Sequence, residues 1–497
     1  MPLKYLLGFD IGSSSVKAAL LEADSGKIVA DAFSPSSEME IISIRSGFAE
    51  QRPEKWWEEL INATNKLKQK VFYNPDEIIA IGISYQMHGL VCVDKNLQPL
   101  RPSIIWCDSR AVDFGNKAFQ DLGEEFCLQH FLNSPGNFTA SKLKWVKENE
   151  PEIYNKMYKV MLPGDYIALK LTGNPATTIS GLSEGIFWNY QTSSIARELL
   201  DYYKIDENLL SSIVPTFGEQ GRTNKETSEI LGIAEGTPVC YRAGDQPNNA
   251  YSLNVLKPGE VAANAGTSGV VYGVTDKAEY DQQSRVNAFV HVNNTDRDKR
   301  YGILLCVNGT GILNSWLRKN FLADLSYEQM NAAAAEISIG AEGLQFFPFG
   351  NGAERILANR NIAANLKGLQ FNTHHRAHVA RAAQEGIVFA LNYGMEIMKE
   401  MGMELKTIRA GHANMFLSEV FARTFSNVSN CVVELYNTDG AAGAARAAGV
   451  GSHYYKDFDE SFKGMEMIKK MEPQQKSLQQ TADVYQEWKT ILLSLLK

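Results

Sequence analysis

Cysteine is scarce and dispersed. Cys92, Cys107, Cys127, Cys240, Cys306 and Cys431 form no C-x-x-C pair, which argues against a zinc site or a disulfide framework and reads as reduced, mostly buried thiols in a cytoplasmic protein. Long apolar runs are missing too. None approaches the roughly 18–20 residues that span a bilayer, and Met1 leads almost directly into a strand, leaving no room for a signal peptide. Positive charge is not in excess: a net charge of −8 argues against a nucleic-acid surface, though not against a local basic pocket for phosphate. There is no low-complexity linker and no solenoid period. What is left is a chain of 497 residues, 44% hydrophobic and 21% charged, ordinary for a globular enzyme. It is too long for one core and suggests two domains of roughly 200–250 residues.

The stretch Tyr5 to Leu21 reads as strand, tight turn, strand. Leu6, Leu7 and Phe9 lead in, Val16 to Leu21 lead out, and Asp10, Gly12, Ser13, Ser14 and Ser15 lie between. Glycine lets such a turn approach a ligand closely, and successive turn N–H groups and hydroxyls form an anion site. An aspartate at its head repels phosphate unless a cation lies between them, so Asp10 suggests Mg²⁺ held through water. An ordinary Gly/Ser hairpin is the alternative. Glu260 to Val274 repeats the pattern, with Asn264, Gly266, Thr267 and Ser268 opposite Asp10, Gly12, Ser13 and Ser14. Two such hairpins, each opening one half of the chain, suggest a duplicated domain holding a phosphate, divided as residues 1–252 and 253–497 with a helical tail from about 453.

Between the hairpins the order is helical and strand-like by turns. Pro53 opens a helix carrying Trp56, Leu60 and Leu67 on one face. Ile78 to Ser84 is a β-branched strand ending in Tyr85-Gln-Met-His-Gly89. Residues 111–235 are richer in helix and loop signals, and Pro238 to Tyr241 is a short strand feeding Gly244-Asp245. Further on, Gly311 begins a helix, His378 to Met401 has a helical period, and Thr407 to Asn414 is a strand and turn. Asp439 to Gly449 is an Ala/Gly helix whose small side chains allow close approach, and Ile491 to Leu496 reads as a docking helix. Together these give an α/β layer fold.

Asp10-Ile-Gly-Ser-Ser14, Trp106-Cys-Asp-Ser-Arg110, Gly244-Asp245, Gly266-Thr-Ser268 and the glycine-bearing turn Ala410–Asn414 occur in one order. Over residues 5 to about 450 the chain resembles the FGGY carbohydrate kinases of the actin-like ATPase superfamily. Gln86-Met-His-Gly89 resembles the xylulokinase branch of that family. The resemblance implies two ribonuclease-H-like domains with a ligand cleft between them, ATP in the cleft and the sugar deeper against the first domain. It also implies transfer of the γ-phosphate to the terminal hydroxyl of a ketopentose, most simply D-xylulose to D-xylulose 5-phosphate. A homodimer is common among such proteins.

On this resemblance Asp245 is the catalytic base, since a sugar hydroxyl needs a carboxylate to orient it and take its proton. From position alone Asp245 reads as an N-cap, but Asn248 stands where a capping box needs Glu or Gln. Asp10 holds Mg²⁺, with Asp245 a second candidate. Gly12, Ser13 and Ser14 are expected at the phosphates from one side, with Lys17 either pointing at phosphate or a surface lysine on the second strand, and Gly266, Thr267 and Ser268 from the other. Gly311 offers helix N-terminal amides to the nucleotide or is a plain turn. Gly411, Ala413 and Asn414 match the adenosine region, although Ala410 and His412 stand where the family has glycines. Gln86, Met87 and His88 are expected at the sugar, with Trp106 as a wall and Asn248 facing it. Asp108 either bonds a hydroxyl or pairs with Arg110 to hold its loop. The rival readings are an FGGY kinase for another sugar or polyol such as ribulose, an actin-like ATPase switch, and a sugar sensor without turnover.

Overall fold

The first hairpin forms because two apolar strands flank residues that turn easily. In the computed structural model, which describes residues 3–497, β1 (Tyr5–Ile11) and β2 (Val16–Glu22) pair antiparallel, and β3 (Ile28–Ser34) continues the meander. Next come α1 (Pro53–Lys70) and β4 (Ile78–Tyr85), which pairs parallel with β1. The helices α2 (Thr139–Asn149) and α3 (Ile179–Glu184) follow. β5 (Phe217–Arg222), β6 (Pro238–Gly244) and α4 (Asp245–Ser252) close this part. The sheet order is β5-β6-β4-β1-β2-β3, with β6 parallel to β4 and β5 antiparallel at the edge. α1 packs Trp56, Leu60 and Leu67 into the core beneath this sheet, where burying each large side chain is worth about 1.5–3 kcal/mol.

A second unit repeats the scheme. β7 (Glu260–Ala265) and β8 (Gly269–Thr275) form the second hairpin, β9 (Asn287–Val290) and β10 (Tyr301–Val307) extend it, and α5 (Gly311–Phe321) and α6 (Arg376–Glu400) follow. β11 (Thr407–Gly411), β12 (Val432–Tyr436) and β13 (Met467–Met471) complete a sheet ordered β9-β10-β8-β7-β11-β12-β13. Both sheets place an antiparallel three-strand meander beside two parallel strands and an antiparallel edge. Asp10 is the penultimate residue of β1 and Asn264 the penultimate residue of β7, so the repeat read in the sequence is a repeat in topology.

The units are not contiguous halves. The first takes the chain up to Asn254 together with Phe289–Arg300 and Thr438–Met465, and the second takes Val255–Ala288, Tyr301–Asn437 and Glu466–Lys497. This differs from a single cut at residue 252. The cause is α7 (Gly440–Gly451), which lies on the first sheet. Gly8 of β1 and Gly82 of β4 are register partners, and Cβ atoms on them would stand 2.5 Å from Ala445 N and 2.6 Å from Ala444 C. Small residues on both surfaces let helix and sheet approach that closely.

The tail is not helical throughout. It contributes the edge strand β13 and then α8 (Gln475–Leu495). That helix docks through Thr481, Tyr485, Trp488 and Leu492, while Leu493 in the terminal leucine run is exposed. The Trp488 indole stacks on Phe347 and donates to the Phe346 carbonyl at 2.9 Å.

Candidate active site

In the first unit the strand ends bring acidic side chains together. Asp10 is held by Ser84 of β4, whose hydroxyl donates to Oδ1 at 2.8 Å. Burial pushes its pKa up, against Lys17 and Ser84, with the charge of Asp439 adding to the rise. Asp245 begins α4 where β6 ends. Burial, with the Asp10 charge next, pushes its carboxyl up to about 7. Asp439 caps α7 by accepting the Ala442 N–H at 2.9 Å. It follows β12 much as Asp245 follows β6. A Cβ on Gly440 would stand 2.5 Å from Asp10 Oδ2, so the first turn of α7 rests directly on that carboxylate. Gly443 of the same helix lies against Ser252.

The first turn is anchored by backbone and by one buried amide. Gly12 N–H donates to Ser15 O at 3.0 Å, and Met39 N–H to Ser14 O at 2.9 Å. Gln51 Nε2 donates to Ser13 O at 2.7 Å, while its Oε1 accepts from Trp56 at 3.0 Å and from Gln86 at 3.3 Å. Gln51 thus ties the turn to the Gln86–Gly89 loop. Lys17 is exposed on β2, across from Asp10 in register.

Gln86 is buried, and its N–H donates to Ile11 O at 2.8 Å. His88 adopts φ 61°, uncommon for a residue with a side chain. Phe138 and Phe289 lie against its ring, with centroids 4.8 and 5.4 Å away. The His88 carbonyl accepts from Lys142 Nζ at 2.8 Å, and the same ammonium donates to Ile105 O at 3.0 Å. Burial pulls Lys142 down to about 7, against the nearby Asp108 charge. One buried cation on α2 therefore joins the His88 loop to the Trp106 loop. Trp106 is half exposed, and its indole N–H reaches Ser13 Oγ at 3.4 Å. A Cβ on Gly244 would stand 2.6 Å from Met87 Cγ and would overlap Glu184 Oε2. Met87, Glu184 and the Gly244–Asp245 peptide therefore meet.

Two of the residues expected at the sugar make packing contacts. Asp108 is fully buried; Oδ2 accepts from Ala49 N at 2.6 Å, and Arg110 holds both oxygens at 2.6–3.0 Å. Arg110 also pairs with Glu50 at 2.6 Å and lies over Phe48. Of the two roles considered, the loop-holding pair is the one formed. Asn248 is fully buried and donates Nδ2 to Gly440 O at 2.9 Å, binding α4 to α7.

The second unit gathers its own cluster. The Gly266-Thr267-Ser268 turn joins β7 to β8, with Thr267 exposed. Gly311 N–H donates to Gly266 O at 2.9 Å and Ile312 N–H to Thr267 O at 3.0 Å. The first amides of α5 are therefore spent on the hairpin and are not offered to a nucleotide, contrary to one expectation for Gly311. A Cβ on Gly311 would overlap Gly266 O, so glycine is needed for the close approach. Gly411 ends β11 and its carbonyl accepts from Ala413 N at 2.8 Å. Asn414 follows with φ 54°, and its Nδ2 lies near Gly266, within 3.6 Å of where a Cβ would be. Asn414 is thus brought to the Gly266 turn.

Glu354, absent from the sequence motifs, fixes the turn before α5. It is fully buried and accepts Asn308 N–H on both oxygens, at 3.0 and 3.1 Å. Burial pushes its pKa up to about 7, against the Asn308 and Gly309 amides. A raised folded-state pKa favours the protonated form. Its stabilisation is complete below the unfolded value of about 4.3 and is lost as pH rises through about 7. Glu354→Gln is therefore expected to flatten the fall in melting temperature between pH 5 and 8. A variant whose melts track the wild type at every pH would refute this.

Among the described residues no group of three or more His, Cys, Asp or Glu is arranged to hold a metal directly, and no helix is long and apolar enough to cross a membrane. The model of the FGGY carbohydrate kinases' N-terminal domain matches residues 5–251, and that of their C-terminal domain residues 261–452. A xylulose kinase of Bacillus subtilis is 29% identical over 467 residues, 92% of this chain and 90% of the relative. A gluconokinase of Bacillus licheniformis is 28% identical, covering 78% and 75%. The solved structure of a ligand-bound xylulose kinase from Lactobacillus acidophilus superposes with a TM-score of 0.90 at 23% identity, over 99% of this chain and 98% of the other. With both domains matched in order and the Asp10, Asp245 and Gly266 turns in place on a duplicated sheet, the chain belongs to the FGGY family of carbohydrate kinases.

Proposed function

We propose that this enzyme transfers the γ-phosphate of ATP to the terminal hydroxyl of a ketopentose, converting D-xylulose to D-xylulose 5-phosphate. The observation that carries the reading is the buried Asp245 carboxyl, set at a strand end beside Met87 and the His88 loop. A carboxylate with its pKa raised toward neutrality is a stronger base for a sugar hydroxyl than an exposed one. The sugar O–H proton passes to Asp245 as the sugar oxygen bonds to the γ-phosphorus. The bond from that phosphorus to the bridging oxygen breaks, and ADP leaves with it. His88 donates Nδ1–H to the Glu184 carbonyl, which in the neutral ring leaves Nε2 to accept from a sugar hydroxyl.

The fit to magnesium rests on the donor set. Asp10, Asp245 and Asp439 concentrate negative charge, yet no three close on one point, which suits an ion that keeps most of its waters. When bound, Mg²⁺ offsets charge on the β- and γ-phosphates, and Asp10 is the residue to hold it. The turns Gly12–Ser14 and Gly266–Ser268 would take phosphate oxygens, and Gly411, Ala413 and Asn414 the nucleoside.

Several relatives carry the name xylulose kinase, which favours D-xylulose. The gluconokinase relative makes D-gluconate the specific competitor. ADP release with Mg-ATP should be measured on D-xylulose, D-ribulose, L-ribulose, L-xylulose, glycerol and D-gluconate. We expect kcat/KM to be at least tenfold higher for D-xylulose than for any other. A higher value for another sugar would overturn the substrate, and no stimulation by any would favour an ATPase switch or a sensor.

A further inference from the structure

We infer that Glu184, which lies in none of the recognised motifs, is the positioning residue of the sugar loop and supplies the site with a second carboxyl group for a substrate hydroxyl. The inference rests on the sugar-kinase reading and deepens it.

Glu184 ends α3 and is 1% exposed. It grips His88 at two points. Its main-chain carbonyl meets His88 Nδ1 at 2.9 Å. A carbonyl can only accept, so Nδ1 carries a proton, which in the neutral imidazole makes Nε2 the acceptor. The side-chain Oε1 accepts the His88 N–H at 3.4 Å, which holds the left-handed backbone in place. A residue in that region persists only where its surroundings impose it.

The other oxygen, Oε2, is buried without a hydrogen-bond partner, and so is the nearby Tyr85 hydroxyl. Burial holds the Glu184 carboxyl well above the usual carboxylate range, against the His88 N–H and the nearby Tyr85 hydroxyl. Oε2 lies against Gly244, the residue before the proposed base. A buried carboxyl oxygen left unpaired is costly and unusual. At a site beside Met87, His88 and Asp245, a polyol hydroxyl is placed to join the Tyr85 hydroxyl in satisfying it. The sequence signal was weak: a lone glutamate in Ser180-Gly-Leu-Ser-Glu-Gly185 looks like any polar loop.

The test uses the full-length wild type, Glu184→Gln and Glu184→Ala, with initial rates of ADP release and melting curves. Varying D-xylulose at saturating Mg-ATP, we expect a sugar KM at least tenfold higher for Glu184→Ala and at least threefold higher for Glu184→Gln. The Gln variant keeps the acceptor toward His88 N–H and should recover most of kcat. The ATP KM should stay within twofold in both. If Glu184→Ala does not fold, the Gln variant decides. An unmoved sugar KM in a folded variant overturns the inference, as do sugar and ATP constants that worsen together. A wild type with no turnover of any sugar defeats the kinase reading and the inference with it. An active wild type matched by both variants defeats the inference alone.

Discussion

Asp245→Asn lowers kcat by about 10²–10⁴-fold, the range typical of losing a positioned general base, while sugar affinity changes little. Asn keeps the shape and one acceptor oxygen, so a hydroxyl still docks, but no group takes its proton. The variant also has a thermal signature. The Asp245 pKa is raised to about 7, chiefly by burial and then by the Asp10 charge. A carboxyl shifted upward stabilises the fold below its unfolded pKa, and that contribution is lost as pH rises through the folded value. At pH 8 without divalent cation the wild type therefore bears a buried charge that the variant lacks. Asp245→Asn should melt higher than wild type at pH 8, and the gap should shrink toward pH 5. The measurements are ADP release, sugar titration calorimetry and melts in chelator. Retained turnover would remove Asp245 from the role of base. A stability gap that does not depend on pH would remove the account of its burial.

The parts of this molecule legible in the sequence are those whose chemistry is local. Asp10 and Asn264 head turns rich in glycine and hydroxyls between apolar strands, and both turns form at the same point of the duplicated sheet. Asp245 was visible because a short strand runs straight into it. What local pattern could not show was the partner each surface would choose. The Ala/Gly run from Gly440 announces close packing but not its destination, which is the first sheet, some four hundred residues earlier in the chain. Gly311 announces a helix start but not that the Gly266 and Thr267 carbonyls consume its first amides. Gln51, Lys142, Glu184 and Glu354 are single polar residues with no motif around them. Each acts by satisfying a distant backbone group in the interior, where an unpaired donor or acceptor is costly.

The second large effect follows from that seat. Gly8 and Gly82 lie side by side in β1 and β4, and α7 rests on them with Ala444 and Ala445. A methyl group on Gly8 would overlap the Ala441 carbonyl and stand 2.5 Å from Ala445 N. These are backbone atoms that no rotamer change can move aside, so helix and sheet must separate. Overpacking of this kind costs about 1–3 kcal/mol and sometimes more, and roughly 2–4 °C of melting temperature is lost per kcal/mol in large domains. Catalysis should suffer beyond this. The first turn of α7 sits on Asp10 through Gly440, and Asn248 binds the Gly440 carbonyl from α4. Displacing the helix therefore disturbs the Asp10 carboxylate and the helix that begins with Asp245 together. At a temperature where Gly8→Ala is fully folded, kcat should fall at least tenfold. Gly82→Ala should act in the same way, and the double variant should cost less than the sum, because one displacement of α7 relieves both overlaps. Additive losses would mean that the two glycines act on separate contacts. A Gly8→Ala enzyme with wild-type melting and kcat would show that α7 does not depend on this seat.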